Sequence, residues 1–461
     1  MSNDLRSAID FAHKNQRRFL NELIELIKLP SVSTDPAHME DMRRTAHWVE
    51  DKLQAVGMEK VQVLETGGHP LVYAEYLTAG PKAPTIVIYG HYGVQPPDPL
   101  ELWHSPPFQP EIRDGDLFGR GASDMKGQVI ASISAVEAWM KHGGLPINVK
   151  WMIEGEEEIG SPNLAPFIEK NKDLFKCDFA LNPDGGILDA ELPSIIYALR
   201  GLAYFEIRVQ GPAHDLHSGM FGGSVLNPAN ELARLIAGMH DDQGHVILPG
   251  FYDKVRPLED DERAALARLP MKEDFFLKQT GSPALWGEQG YTPVEHVGAR
   301  PTLDVNGFLS GFTGEGSKTV LPATAMAKVS TRLVPDQDPA DVHQALLEYM
   351  EQNARPGITW EVEQMAGGPA SITPRDSIGV KALAKAMQQV WGVEPVYKRE
   401  GGSVPVVAQM SQILGVDSVM TGFGLPNDNL HAPNEKLTLA PWYNGIDTLI
   451  YFFHNLAVEN E

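Results

Sequence analysis

The spacing of apolar residues predicts an alternation of helices and strands over the first 200 residues. Met42, Ala46, Val49 and Leu53 recur four and three positions apart, as on one face of a helix, and Gly57 is a suitable C-terminal cap. Helical spacing also covers residues 4–29 and 127–142. Short apolar runs with strand character lie at 61–65, 71–77, 85–90, 148–154 and 179–182. This alternation predicts an α/β domain with a mostly parallel sheet and flanking helices.

The pattern changes near Ala203 and returns near Ser377. In between, YFEIRVQG and AMAKVSTRLVP indicate strands on either side of a stretch rich in Pro and Gly, which is typical of an α+β domain with antiparallel pairing. A chain of 461 residues also exceeds what one hydrophobic core usually holds. We therefore predict a first domain made of residues 1–203 and 377–461, with a second domain inserted over 204–376.

Composition narrows the class of protein. The net charge of −23 leaves no basic surface to neutralise phosphates, so we expect no nucleic-acid partner and no anionic membrane partner. Cys177 is the one cysteine and cannot form an internal disulfide, which fits a reducing cytoplasm. No uninterrupted apolar run approaches the length of a membrane span. The expectation is a soluble cytoplasmic protein.

Polar residues follow the predicted strands at the points where these strands end. His91 ends one run, the Glu156–Glu158 triplet follows another, Asp184 follows a third and His431 lies past a fourth. Asp124 lies in GRGASDMKG, a glycine-rich turn before a helix. In open α/β sheets, ligands bind beyond the carboxyl ends of the strands, so these side chains are candidates for one site.

Imidazoles and carboxylates that meet in one place are suitable ligands for zinc, manganese or cobalt. Five such ligands can hold two ions if one carboxylate bridges, and a further carboxylate could then act as a general base. Taken alone, each of these candidate residues also has an ordinary explanation, as part of an acidic loop, as a turn residue or as a surface histidine. GRGASDMKG lacks the GK[ST] ending of a phosphate-binding loop. Spacing alone does not decide whether the residues converge.

Ten motifs in order carry a family resemblance. They are GHYGVQP, LWHSPPF, GRGASDMKGQ, EGEEEIGS, YALRG, HDLHSGMFGGSV, KTVLP, STRLVP, REGGSVP and HAPNEK. With them the chain resembles, essentially from end to end, the di-metal aminopeptidase and deacylase superfamily. The branch it resembles most is that of the carnosinase-like, cytosolic non-specific dipeptidases.

The resemblance implies a centre with two metal ions. His91 and Asp184 would bind one ion, Glu158 and His431 the other, and Asp124 would bridge them. The ions would be zinc, or alternatively manganese or cobalt. Glu157 would be the general base that takes a proton from the attacking water and later gives it to the leaving amine.

The resemblance also implies roles for the inserted domain, as a lid and dimerisation domain beside a catalytic domain. His217 would reach the active site of a neighbouring subunit and stabilise the oxyanion, which implies a homodimer. Arg332 would bind the terminal carboxylate of a small peptide substrate as a bidentate fork, with Thr319 and Ser403 assisting.

The chain departs from the family pattern at two positions. The family's first motif is His-x-Asp, whose Asp orients the histidine ligand, but here that position is Gly93. The ring of His91 would then rely on a water or a backbone carbonyl, because nothing assures that Asp98 reaches it. Ala366 stands where relatives often carry a His that helps to hold the substrate carboxylate, which leaves fine specificity open.

These observations predict a metal-dependent hydrolase of dipeptides with a free carboxylate. Gly93 leaves three alternatives open: a weakened enzyme, an enzyme with a substitute partner for His91, or a deliberately inactivated one. Two other functions also stay open on the same scaffold. One is an N-acyl-amino-acid deacylase, and the other is an inactive homologue that binds metal and peptide.

Overall fold

The computed structural model describes residues 3–402 and 404–459. The chain divides into two compact units, the first made of Met1–Tyr197, Thr373–Tyr397 and Pro405–Glu461, and the second made of Ala198–Ile372 and Lys398–Val404. This division differs from the predicted domain boundaries chiefly at Lys398–Val404, a segment that the prediction placed in the first domain. The segment belongs with the second unit because Arg399 Nε donates a hydrogen bond of 2.8 Å to the buried Glu262 carboxylate there.

The helices, in chain order, are α1 (Asn3–Ile27), α2 (Met39–Val56), α3 (Gly127–Met140), α4 (Leu164–Lys170), α5 (Lys172–Phe175), α6 (Ser218–Phe221), α7 (Pro228–Ala237), α8 (Asp260–Ala267), α9 (Glu273–Thr280), α10 (Pro293–Ala299), α11 (Pro339–Asn353), α12 (Ile378–Trp391), α13 (Pro405–Leu414) and α14 (Leu439–Glu459). None of the helices within 3–402 and 404–459 combines the length and the apolar character needed to cross a bilayer.

The strands, in chain order, are β1 (Glu59–Leu64), β2 (Leu71–Tyr76), β3 (Thr85–His91), β4 (Glu111–Arg113), β5 (Asp116–Phe118), β6 (Asn148–Glu154), β7 (Phe179–Asn182), β8 (Ser194–Leu199), β9 (Gly201–Gln210), β10 (Leu216–His217), β11 (Thr302–Ser310), β12 (Val320–Leu321), β13 (Thr324–Leu333), β14 (Thr359–Gly368), β15 (Ser371–Ile372), β16 (Val396–Glu400), β17 (Ser418–Met420) and β18 (Lys436–Thr438).

The central sheet of the first unit has the strand order β1-β2-β6-β3-β7-β17-β8. β3 lies between β6 and β7 and is parallel to both, and β17 continues the parallel pairing beside β7. The pairs β1–β2, β2–β6 and β17–β8 are antiparallel. The predicted α/β architecture is confirmed, with its parallel strands at the centre of the sheet.

The predicted helical spacing of α2 corresponds to its buried face. Met42, Ala46, Val49 and Leu53 are all fully buried, and Gly57 ends the helix with φ of 99°, a left-handed conformation that glycine adopts without steric cost. α3 is buried along almost its whole length and contacts α1 and α14, so its apolar residues cover every face rather than one stripe.

The central parallel strands place polar groups together at one edge of the sheet. β3 ends at His91 and β6 ends at Glu154, and these two residues are partners in the parallel ladder. β7 ends nearby in the sheet at Asn182, two residues before Asp184. The segments that follow these strands therefore start from the same edge, where α/β proteins bind their ligands.

The second unit contains an antiparallel sheet of order β11-β13-β9-β14. Alternate residues of β9, among them Ala203, Phe205, Ile207 and Val209, are buried in its hydrophobic core, to which α7 and α11 also contribute apolar side chains. Antiparallel strands covered by helices on one face confirm the α+β character that the sequence predicts for this part of the chain.

Candidate metal centre

His91 is fully buried at the end of β3, and its two ring nitrogens have different surroundings. Nδ1 lies 2.9 Å from the main-chain oxygen of Gly93. Nε2 lies 3.1 Å from Asp124 Oδ1 and 3.7 Å from Asp184 Oδ2, but it forms no hydrogen bond with any residue in the described part of the chain. A buried nitrogen that faces two carboxylates without a hydrogen bond is suited to a cation between them.

Asp124 lies between the two histidines. Its Oδ1 faces His91, and its Oδ2 lies 3.0 Å from Nε2 of His431. The residue lies at a kink in the short segment Ala122–Lys126, where its backbone is not helical (φ −114°, ψ 98°), and this segment follows Gly121 in the left-handed conformation. Because each oxygen of one carboxylate faces a different histidine, Asp124 has the placement that a bridging ligand needs.

Glu158 and His431 complete a second group around Asp124. Nε2 of His431 lies 3.3 Å from Glu158 Oε2, and the same carboxylate oxygen accepts a hydrogen bond of 2.8 Å from the side-chain amide of Gln95. His431 adopts φ of 59°, and its side chain is 56% exposed. This side of the centre is thus open to solvent, whereas the His91 side is closed.

The structure brings together all five residues that the sequence nominates as metal ligands. They form two groups that share Asp124: His91, Asp124 and Asp184, and Asp124, Glu158 and His431. Within each group one ligand atom from every residue lies within 4.8 Å of the others. Mixed imidazole and carboxylate donors suit zinc, manganese or cobalt. The residues fit a pair of divalent ions, and their ligation stays a prediction.

The pKa shifts indicate an excess of negative charge in this cluster. Burial alone would lower the pKa of His91, but the Asp184 and Asp124 carboxylates raise it well above its ordinary value. Hydrogen bonds with Asp124 and Glu158 raise the pKa of His431 to about 10. Burial raises the pKa of Asp184. A cluster of this kind attracts cations.

Glu157 precedes Glu158, a predicted metal ligand, on a short 3₁₀ helix, Glu157–Ile159. Burial raises the pKa of the Glu157 carboxyl to about 8, and repulsion by Asp184 and Glu158 acts in the same direction, against the attraction of His91. A carboxyl group with a pKa close to neutrality can both accept and release a proton. This position and pKa suit the predicted general base.

The predicted substrate residues of the second unit lie in two places, with His217 and Thr319 together in one and Arg332 in the other. His217 on β10 is the ladder partner of Val320, and the amide of Ser218 donates to the carbonyl of Thr319 at 3.1 Å, so His217 and Thr319 belong to neighbouring strand segments. His217 Nδ1 also accepts a hydrogen bond of 3.0 Å from the amide of Gly219. Ser403 lies outside the described residues.

Arg332 lies on β13, where its ladder partners are Thr302 and Leu202. Burial and the positive charge of Arg332 both lower the pKa of Arg200, to about 10. Arg200 Nε in turn donates to the carbonyl of Gly401 at 3.2 Å. Arg332, Arg200 and Gly401, which come from the motifs STRLVP, YALRG and REGGSVP, are therefore neighbours within the second unit.

Sequence reasoning gave no role to Glu435, although HAPNEK was among the motifs of the resemblance. The side chain is fully buried, and it accepts hydrogen bonds from Arg120 and from the amides of Gly121, Ser123 and Asp124. The one feature of the sequence that could have pointed to Glu435 is its position four residues after His431. That position predicts neither the burial of its side chain nor its hydrogen bonds with main-chain amides.

The sheet topology and the two candidate ligand groups fit a class of α/β metalloproteins that hold two metal ions at the carboxyl ends of parallel strands. The comparison with family models is more specific. The model of peptidase family M20/M25/M40 matches residues 87–455, and the chain belongs to this family. The family resemblance predicted from the motifs is confirmed.

Relatives and solved structures match almost the whole chain. The Cys-Gly metallodipeptidase DUG1 of Candida albicans is 30% identical over 98% of this chain and 97% of its own length. The human Beta-Ala-His dipeptidase is 29% identical over 98% of this chain and 93% of its own. The solved M20 family metallo-carboxypeptidase of Sulfolobus solfataricus is 34% identical, with a TM-score of 0.83 over 95% of this chain and 99% of that chain.

Proposed function

We propose that this protein is a di-metal dipeptidase that hydrolyses the amide bond of small peptides with a free carboxylate. The observation that carries the proposal is the pair of ligand groups that share Asp124, at the carboxyl ends of the central strands. The dipeptidase names of the relatives from Candida albicans and from human support the choice of substrate class.

His91 and Asp184 would hold one divalent ion, Glu158 and His431 the other, and Asp124 both. When bound, such ions supply positive charge that polarises a scissile carbonyl and lowers the pKa of a water. Zinc, manganese and cobalt all suit these donors. The protein's own part is to keep the five side chains in place, which the hydrogen bonds of His91 with Gly93 and of Glu158 with Gln95 support.

Glu157 acts as the general base in this proposal. It takes a proton from the attacking water oxygen as the carbon–oxygen bond forms, and it delivers this proton to the leaving amine nitrogen as the carbon–nitrogen bond breaks. Its pKa near neutrality, which results mainly from burial, suits both transfers. Proton transfer by a positioned side chain typically accelerates a reaction by about 10²–10⁴-fold.

Arg332 would bind the terminal carboxylate of the substrate, assisted by Thr319 and Ser403, and His217 would act on the site of a second subunit. The homodimer that this requires would form through the inserted domain. The edge strand β11 supports it, because Val305, Phe308 and Leu309 are between 44% and 56% exposed there. We also propose a cytoplasmic location, which suits the free Cys177.

The test is a hydrolysis assay on the metal-free protein after addition of zinc, manganese or cobalt in turn. Cys-Gly and β-Ala-His serve as dipeptides, and N-acetyl amino acids serve as the matched acyl substrates. We expect metal-dependent release of amino acids from the dipeptides. Preference for the acylated substrates would make the protein a deacylase, and metal binding without hydrolysis of either class would make it an inactive homologue.

A further inference from the structure

Two glycines lie against each other where β3 and β6 end. A Cβ atom on Gly93 would lie 2.5 Å from the main-chain oxygen of Gly155 and 3.3 Å from Cβ of Ser33. The first distance is far shorter than the roughly 3.5 Å at which non-bonded atoms attract. Between the two glycines, the amide of Tyr92 donates to the carbonyl of Glu154 at 2.9 Å, which ties the two chain segments together. This approach requires glycine at position 93.

Gly155 is itself closely surrounded by other residues. A Cβ atom on Gly155 itself would lie 2.7 Å from the hydroxyl of Tyr92 and 2.8 Å from atoms of His69 and Met42. The Tyr92 hydroxyl is in turn fixed by a hydrogen bond of 2.6 Å to the carbonyl of Pro70. A side chain at position 93 would therefore displace its own turn, residues 91–94, or the closely packed segment at Gly155.

The same turn orients the imidazole of His91. The carbonyl of Gly93 can only accept a hydrogen bond, so at 2.9 Å it selects the tautomer with the proton on Nδ1. Nε2 is then the ring nitrogen that faces the carboxylates, at 3.1 Å from Asp124 and 3.7 Å from Asp184, and it forms no hydrogen bond with any residue in the described ranges. In histidine metal ligands, the ring nitrogen that does not bind the metal usually donates a hydrogen bond to an acceptor, and this bond fixes the orientation of the ring.

We propose that the main-chain carbonyl of Gly93, held in place by the close contact of this glycine with Gly155, positions the His91 imidazole for metal binding. The inference rests on the proposed metal centre and deepens it. Gly93 is then the group that replaces a carboxylate partner, and the site is built around its lack of a side chain. An aspartate at this position would disrupt the centre instead of restoring it.

The variants Gly93→Ala and Gly93→Asp test this inference through zinc binding, measured by titration calorimetry on metal-free protein with no peptide present. Gly368→Ala is the matched control, because a Cβ atom there meets nothing within 4 Å and the residue lies on β14 in the other unit. We expect both Gly93 variants to bind zinc about 10–100-fold more weakly than the unmodified protein. The control should bind it equally well. Zinc binding by Gly93→Asp that is as tight as that of the unmodified protein, or tighter, would overturn the proposal.

A second measurement needs no folded variant at position 93. Nitrogen NMR of the unmodified protein labelled with ¹⁵N-histidine reports which ring nitrogen carries the proton, and the loss of signals in His91→Asn assigns the residue. We expect a protonated Nδ1 before zinc is added and a shift of the Nε2 resonance afterwards. The opposite tautomer would contradict the proposal. Since no peptide is involved, a protein that binds zinc in this way and hydrolyses no dipeptide would refute the proposed function alone.

Discussion

The carboxylate of Glu435 accepts a hydrogen bond of 3.1 Å from the main-chain amide of Asp124, 311 positions away in the chain. It also accepts hydrogen bonds from the amides of Gly121 and Ser123, at 2.9 and 3.0 Å, and from the buried Arg120. One side chain thus fixes three main-chain donors in the turn that carries Asp124, the predicted bridging ligand. Because Glu435 follows His431 by four residues, it also links the segments of two predicted ligands, Asp124 and His431.

Glu435→Gln should destabilise the protein and weaken the proposed metal centre. The substitution leaves the buried Arg120 without its carboxylate, and breaking a buried ion pair in this way typically costs about 3–5 kcal/mol. We expect a loss of free energy of unfolding of about that size in urea denaturation, together with weaker zinc binding. Glu111→Gln is the control, because Glu111 pairs with Arg113 on the surface, where the loss should be below about 1 kcal/mol. Equal losses in the two variants would show that Glu435 has no special role.

Glu157→Gln should separate catalysis from metal binding. The amide keeps the size of the side chain but cannot take up a proton, so dipeptide turnover should fall by about 10²–10⁴-fold. Zinc stoichiometry should stay unchanged, because the five predicted ligands are intact. The exposed Glu40 supplies the control variant Glu40→Gln, which should keep full turnover. A Glu157→Gln protein that retains most of its turnover would assign the general base to another group.

Cys177 should react slowly with thiol reagents in the folded protein. Burial raises the pKa of its thiol to about 11, with a small further rise from Asp178, against the opposing effect of Lys150. At pH 8 only about one molecule in a thousand then carries the thiolate, whereas an unfolded chain with a thiol pKa of about 8.5 carries it in about a quarter. Alkylation by iodoacetamide, followed by mass spectrometry, should therefore accelerate at least ~100-fold in denaturant. Equal rates in the two states would contradict the predicted protection.

The parts of the site that could be predicted from sequence are those tied to local pattern. His91 and Asp184 follow apolar runs that the β-strand period identifies, and the topology of parallel strands then brings them to one edge. The positions of Glu158 and His431 relative to Asp124 needed the family motifs, because these residues lie in loops without periodicity.

Contacts that rest on the main chain or on tertiary packing left no sequence signal. The sequence left a water or a backbone carbonyl as the partner of the His91 ring, but every residue possesses a carbonyl group, so the sequence could not single out that of Gly93. Gly93 and Gly155 are distant in sequence and approach each other only because β3 and β6 are neighbours in the sheet. Their contact could therefore not be predicted from the sequence. The role of Glu435 likewise depends on a turn more than 300 positions away.

Phe308→Lys should disrupt the proposed homodimer and leave the subunit folded. Phe308 lies on the edge strand β11 with 47% of its surface exposed, so a charge there costs the subunit little but opposes pairing with a second edge. Light scattering after size-exclusion chromatography should show the mass falling from about twice that of the 50.6 kDa chain to that of one chain. Dipeptide turnover should fall with it, because His217 is proposed to act on the neighbouring subunit.

Met365→Lys is the control for this prediction. Met365 is 49% exposed on β14, at the opposite edge of the same sheet, so this variant should keep the dimer. If Met365→Lys dissociates the protein and Phe308→Lys does not, the interface lies at β14.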